Sequence, residues 1–269
     1  MENRIDNTLK SLAQEGKKAF ISFVTAGDPA PEHTINILNS LVESGVDILE
    51  VGVPFSDPQA DGPSVQKANE RALVHNVGLN DIFEMLKTFR ANNDATPVVL
   101  MGYLNPIEKM GYETFAQKAS ESGVDGLIVV DNPPEEGECL NQVLNQNNIH
   151  NIFLLAPTTT DERLEKILQL ASGFVYYVSL KGVTGASTLN VAEVEQKVAH
   201  IRTNTSLPVG VGFGISNAET ANAVAKVSDA VVVGSALVNE IEKYQNEPQK
   251  MIESLSEKAS AIKAGINKA

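Results

Sequence analysis

Two carboxylates carry the first chemical suggestion in this sequence. Glu50 and Asp61 stand eleven residues apart in the stretch ILEVGVPFSDPQADGPSVQ, Ile48 to Gln66. Ile48, Leu49, Val51 and Val53 are apolar and favour a strand, so Glu50 falls mid-strand, where an ionised side chain is costly unless paired, solvated or used. Strand alternation puts Ile48, Glu50 and Gly52 on one face and Leu49 and Val51 on the other. The next segment, Pro54 to Pro63, holds three prolines and a glycine and reads as an ordered loop. One carboxyl at a strand's carboxyl end and one on the following loop can face a common cleft as an acid/base pair. A plainer reading pairs Glu50 with a lysine and lets Asp61 cap the turn at Gly62.

The elements that must position this pair follow a regular alternation. Met1 to Gln14 carries Ile5, Leu9 and Leu12 at helical spacing before Gly16, which predicts an N-terminal helix with a glycine stop. A strand over Ala19 to Val24 leads through Thr25 to Pro29 into a helix that Asp28 or Thr34 can start. Helices are expected from Val65 to about Val74, Leu79 to Phe89, Tyr112 to Ser120, Glu136 to Leu144, Asp161 to Leu170, Val191 to Arg202, Ala218 to Lys226 and Ala236 to Tyr244. Between them fall strands at Pro97 to Met101, Gly126 to Val130, Asn151 to Leu155, Phe174 to Ser179, Pro208 to Val211 and Ala230 to Val233. Short, continuous Val/Ile/Leu strands imply burial on both faces and a parallel sheet. About eight strand-helix units in one domain, residues 1–269, predict an α/β fold of the (β/α)₈ TIM-barrel type. The N-terminal helix and a helix from Pro248 to Ile262 are extra to it. A doubly wound sheet would want Gly-x-Gly-x-x-Gly after its first strand, and Thr25-Ala26-Gly27-Asp28-Pro29 does not supply it.

In such a barrel the site lies at the carboxyl ends of the strands, often with phosphate near the last two. Here Gly210-Val211-Gly212-Phe213-Gly214-Ile215-Ser216 follows one strand, and Gly234-Ser235-Ala236 opens a helix after the next. Backbone N–H groups at glycine turns and a helix N-terminus can hold an anion with no lysine or arginine. Gly182-Val183-Thr184-Gly185 can complete the cup, and Leu180 to Asn190 reads as a lid over substrate.

Composition excludes other classes. Lys and Arg number 21 against 34 Asp and Glu, a net charge of −13. This disfavours nonspecific binding to nucleic acid or to an anionic membrane. The N-terminus lacks an apolar leader segment and no apolar run reaches the ~18 residues of a membrane span. With the lone Cys139, read as an inert helix residue, this suits a reducing cytoplasm. His33, His75, His150 and His200 are expected on helices or at their ends without metal-ligand spacing or an acidic companion, and no metal site is expected. Tyr103 to Pro106 ends the third strand and can bear on the site or on a partner. Asp131 closes the fourth strand, as a site residue or a turn former. Phe23 and Tyr176, both on strands, are core residues by default.

With these residues in view, the chain resembles the tryptophan synthase alpha subunit along essentially its whole length. The matching segments are LEVGVPFSDPQADGP, Tyr103 to Pro106, Asp131 with Pro133 to Glu136, Gly182 to Gly185, Gly212 to Ile215 and Gly234 to Ala236. The resemblance implies a (β/α)₈ lyase that splits indole-3-glycerol phosphate into indole and glyceraldehyde 3-phosphate. It implies no cofactor in this chain and a partner, the beta subunit, that carries pyridoxal phosphate, in an alpha2beta2 heterotetramer. It makes Glu50 the acid/base and Asp61 the carboxylate that accepts the indole N–H, with Glu50 raised in pKa on its buried strand and Asp61 ionised on a polar loop. Phe23 and Tyr176 would line the indole pocket, Thr184 would be the lid contact, and Gly185, Phe213, Gly214, Gly234 and Ser235 would lie at the substrate and its phosphate. Pro54, Asp57 and Asn105 would meet the partner. Asn132 stands where the family has Leu, and Leu180 where it has Arg; for the missing Arg, altered lid dynamics rather than loss of activity is expected. Two other readings are a different phosphate-binding barrel of aromatic amino-acid synthesis, for which Asp61 would be dispensable, and a non-catalytic subunit that binds a phosphorylated metabolite.

Overall fold

The computed structural model describes residues 2–179, 190–212 and 214–269. Helix α1 (Arg4–Gln14) starts at Asn3, whose side chain accepts the N–H of Ile5, and runs out at Gly16, which sits at φ +67°. Strand β1 (Ala19–Thr25) is buried throughout. Helix α2 (Thr34–Glu43) follows a short 3₁₀ turn and starts at Thr34, one of the two residues expected to start it, without a side-chain cap. Thr34 is its first helical residue and accepts the N–H of Gly27, while Asp28 turns inward to an ion pair. Strand β2 (Ile48–Gly52) carries Glu50, and α3 (Pro63–Leu73) begins two residues after Asp61.

The alternation then continues through α4 (Leu79–Arg90), β3 (Val98–Gly102), α6 (Tyr112–Glu121), β4 (Gly126–Val129) and α7 (Glu138–Gln146). Between β3 and α6 lies α5 (Leu104–Met110), a helix over residues whose only sequence signal was the end of a strand. Asp131 supplies its start, with Oδ1 accepting the N–H of Leu104 at 2.8 Å. The strand expected at 151–155 is broken into β5 (His150–Asn151) and β6 (Leu154–Leu155). After α8 (Asp161–Leu170) come β7 (Val175–Val178), α9 (Val191–Asn204), β8 (Val209–Gly212), α10 (Ala218–Ala225), β9 (Ala230–Val233), α11 (Ser235–Lys243) and α12 (Pro248–Ile266).

Strand order explains the break. The parallel sheet runs β5-β4-β3-β2-β1-β9-β8-β7-β6, so its two ends are halves of the single stretch 150–155. Its first half bonds to β4 and its second to β7, and the chain between them joins the edges. Counted as one strand, it closes a ring of eight, the (β/α)₈ barrel that the alternation predicts.

Parity along each strand then sorts the core. Phe20, Leu49, Leu100 and Val231 point outward under the helices, while Ile21, Ile48, Val99, Ile128, Tyr176 and Val232 fill the barrel. Helix α1 closes the amino-terminal end. Ile5 is fully buried among the inward residues, and Asn3 Nδ2 donates to the carbonyls of Asp125 and Asn148 just ahead of β4 and β5. With that end plugged, only the carboxyl ends of the strands present open backbone to a ligand. Among the described residues no helix is long and apolar enough to cross a membrane.

Candidate active site

Glu50 projects into the barrel, as its parity requires. It is 1% exposed, and its Oε2 has no hydrogen-bond partner among the described residues. Burial, and then the nearby charge of Asp61, push its carboxyl up to about 8. A carboxyl in that condition is protonated at neutral pH and able to give its proton away. Its register partners on the two neighbouring strands are Phe23 and Val99, which keep water from it laterally.

Asp61 lies on the loop between β2 and α3, and that loop is held firmly. Gln66 Nε2 donates to the Asp61 carbonyl at 2.9 Å, and Asn69 Nδ2 donates to its Oδ2 at 3.1 Å. The Tyr103 hydroxyl accepts the N–H of Ala60 at 3.0 Å, while its ring stacks on Phe55 with centroids 4.9 Å apart. Asp61 is expected to stay ionised on a polar loop, and the loop also buries it in part. Burial pushes its carboxyl up to about 6, and the bonds from Asn69 and Tyr103 oppose that rise. It remains the more acidic of the pair, so near neutrality the site holds one proton on Glu50 and one charge on Asp61.

A cavity of about 260 Å³ opens above Glu50. Phe23, Met101, Tyr176 and Val232 give it apolar walls, and Gly62, next to Asp61, stands at its side. Gly214, Ser216, Gly234, Ser235 and Asn239 make the far rim polar. Gly214 sits at φ +74° with open space where a Cβ would be, a backbone that a residue with a side chain adopts only under strain. Ser235 is the first residue of α11, whose leading N–H groups lack partners within the helix and face the rim. The cavity is thus apolar at the Glu50 end and lined by polar side chains and backbone donors at the other. Other depressions, of about 460 Å³ over Phe55 to Gln59 and about 500 Å³ beside α1, lack that combination.

Of the residues singled out from sequence, Glu50, Phe23, Tyr176, Gly214, Gly234 and Ser235 converge on this cavity, and Asp61 adjoins it. Thr184, Gly185 and Phe213, together with Leu180, Lys181 and Gly182, lie outside the described residues. Asp57 and Asn105 are exposed, whereas Pro54 is buried within the chain. His150 is on a strand and its Nε2 is 2.9 Å from Asp6, and His200 is 2.8 Å from Asp161. Both companions come from distant sequence, which is why spacing did not show them. Sequence reading also missed Asn69 and Met101. Asn69 left a trace, a polar residue between Ala68 and Ala72 on a buried helix stripe, which calls for a specific partner.

Fold and cavity together define a (β/α)₈ barrel of the enzyme kind, with a cavity at the carboxyl ends of its strands, apolar on one side and polar on the other. Comparison with known proteins fixes the family. The family model for the tryptophan synthase alpha chain matches residues 9–267. The tryptophan synthase alpha chain of Marinobacter nauticus is 53% identical over 255 residues, covering 95% of this chain and 94% of the relative. That of Nitrosococcus oceani is 52% identical over 265 residues, covering 98% of each. The crystal structure of tryptophan synthase subunit alpha from Legionella pneumophila superposes with a TM-score of 0.93 at 42% identity, covering 100% of both chains. A chain of the tryptophan synthase complex of Pyrococcus furiosus gives 0.82 at 36% identity, over 91% of this chain and 98% of that one. The protein belongs to the tryptophan synthase alpha chain family, lyases that cleave indole-3-glycerol phosphate in tryptophan biosynthesis.

Proposed function

We propose that the family's reaction is divided in this chain between Glu50 and Asp61. Protonated Glu50 gives its proton to the indole ring carbon that bears the glycerol chain. Asp61 accepts the indole N–H and stabilises the positive charge that develops on the ring. The Glu50 carboxylate then takes the hydroxyl proton of the adjoining glycerol carbon. The carbon-carbon bond breaks, its electron pair returns to the ring, and indole and glyceraldehyde 3-phosphate leave. Phe23 and Tyr176 hold the ring, and Gly214, Gly234 and Ser235 hold the phosphate through backbone donors, with Thr184, Gly185 and Phe213 in the roles the family gives them. One observation carries the reading: an unpartnered carboxyl, pushed up to about 8, at the floor of a cavity with a polar rim.

The chain is read as one domain working in the cytoplasm without a cofactor of its own, beside a beta subunit that holds pyridoxal phosphate. The alpha-chain family implies such a partner. Asp57 and Asn105 offer it exposed surface, while buried Pro54 shapes the loop that carries Asp57. The test is indole release from indole-3-glycerol phosphate by the purified chain, alone and with a beta subunit. Turnover that rises with the partner and collapses in Glu50→Gln is expected. Ligand binding without turnover in any combination would overturn the assignment.

A further inference from the structure

Helix α3 touches both ends of the cavity. On one side Gln66 and Asn69 hold the carbonyl and carboxylate of Asp61. On another, Arg71 closes a two-pronged ion pair with Asp28 in the turn after β1, Nε to Oδ1 at 2.6 Å and Nη2 to Oδ2 at 2.9 Å. Its Nη1 also lies 3.9 Å from Glu242 Oε1 in the last turn of α11, the helix that begins at Ser235 on the rim. Lys67 Nζ reaches the same Glu242 oxygen at 2.9 Å. The Asp28 side chain is fully buried and that of Arg71 is 16% exposed, so solvent screens the pair weakly.

A planar guanidinium gripped at two points fixes orientation as well as distance, which a lysine ammonium cannot do. Rotating or sliding α3 would swing Asn69 and Gln66 and carry Asp61 with them. We infer that Arg71 is a positioning residue for the lyase reaction, acting through α3 and Asn69 to set Asp61 against the α11 end of the cavity. This rests on the reading of Asp61 given above. It adds a residue that touches no substrate and yet determines where the ring charge is met.

The test compares steady-state indole formation in the wild type, Arg71→Met, Arg71→Lys, Asn69→Ala and Asp61→Asn, each as the full chain with its beta subunit. Because Arg71→Met alone strands a buried carboxylate, the pair Asp28→Asn/Arg71→Met, which removes both charges, is measured too. The expected result is a fall in kcat of about 10- to 100-fold with KM within about threefold, the signature of a misplaced group. Arg71→Lys should recover thermal stability and leave most of the kcat loss. Combining Arg71→Met with Asn69→Ala should cost less than the product of the two losses, since both act on Asp61. Wild-type kcat in the folded double variant, or losses that multiply in full, would overturn the inference. Unimpaired turnover in Asp61→Asn would instead remove the reading of Asp61 beneath it.

Discussion

Phe23 of β1 and Glu50 of β2 are partners in the parallel register, so an aromatic ring and a carboxyl rise side by side on the inner face of the barrel. The ring helps to shield the carboxyl, and both face the same cavity. An apolar wall and a proton donor on adjacent strands is the local arrangement that both raises the pKa and aims the proton.

That arrangement sets the pH dependence of stability. Glu50 is raised from 4.5 to about 8 and Asp61 from 3.8 to about 6. The folded chain therefore holds protons that the unfolded chain has released. The stability linked to them is complete below about pH 4 and falls as pH rises, to about 6 for Asp61 and about 8 for Glu50. Glu50→Gln should flatten the upper part of this slope, raising the melting temperature more at pH 8 than at pH 5. The gain at pH 8 is on the order of a few kcal/mol. Thermal melts across pH check it, and equal shifts at both values would show that Glu50 is not raised.

On the proposed roles, the same two groups govern the pH dependence of turnover. Those roles require Asp61 ionised and Glu50 protonated, so activity should rise through about pH 6 and fall through about pH 8. Asn69 lowers the Asp61 pKa by its hydrogen bond, so Asn69→Ala should move the acid limb upward and leave the basic limb in place. Profiles of kcat/KM for the two proteins decide this, and an unmoved acid limb would assign it to another group.

Gly212 should accept a side chain only at a cost. A Cβ there would lie 2.6 and 2.8 Å from ring atoms of Tyr176 and closer still to its hydroxyl. Gly212→Ala would tilt that ring into the cavity at a cost of about 1–3 kcal/mol, with KM rising more than kcat falls. Adding Tyr176→Phe removes the nearest atom and should recover part of the affinity. Steady-state kinetics of the two variants separate KM from kcat, and a kcat loss larger than the rise in KM would count against a displaced Tyr176 ring.

Asp125 offers a control remote from the cavity. It is 3% exposed and accepts bonds from Arg4, Arg90 and the N–H of Val98 at the amino-terminal end of the barrel. Asp125→Ala leaves Arg90 buried without its carboxylate and should cost about 3–5 kcal/mol. Chemical denaturation reads that loss, and kcat below the melting temperature should stay within about twofold, since neither end of the cavity moves.

Much of this was legible in the chain. Alternating strand and helix signals fixed the barrel, because each βα unit is encoded in a contiguous run. The parity of Ile48, Glu50 and Gly52 put these three on one face, and the packing of the other strands decided that this face is the inner one. The glycines before Ser216 and Ser235 marked the polar rim because turn geometry is a local property. Helix α5 was hidden, since the cap that starts it comes from Asp131, 27 residues away.

Sequence by itself determined which residue types and which local frames this protein has: the carboxyl on the strand, the carboxyl on the loop and the backbone donors at the last turns. Only the tertiary structure decided how those groups feel one another. The burial that raises Glu50 and Asp61, the contact of Gly212 with Tyr176, and the grip of Arg71 on Asp28 depend on strands and helices distant in sequence meeting around one axis. The pKa of a carboxyl follows its surroundings in space, and spacing along the chain does not specify them.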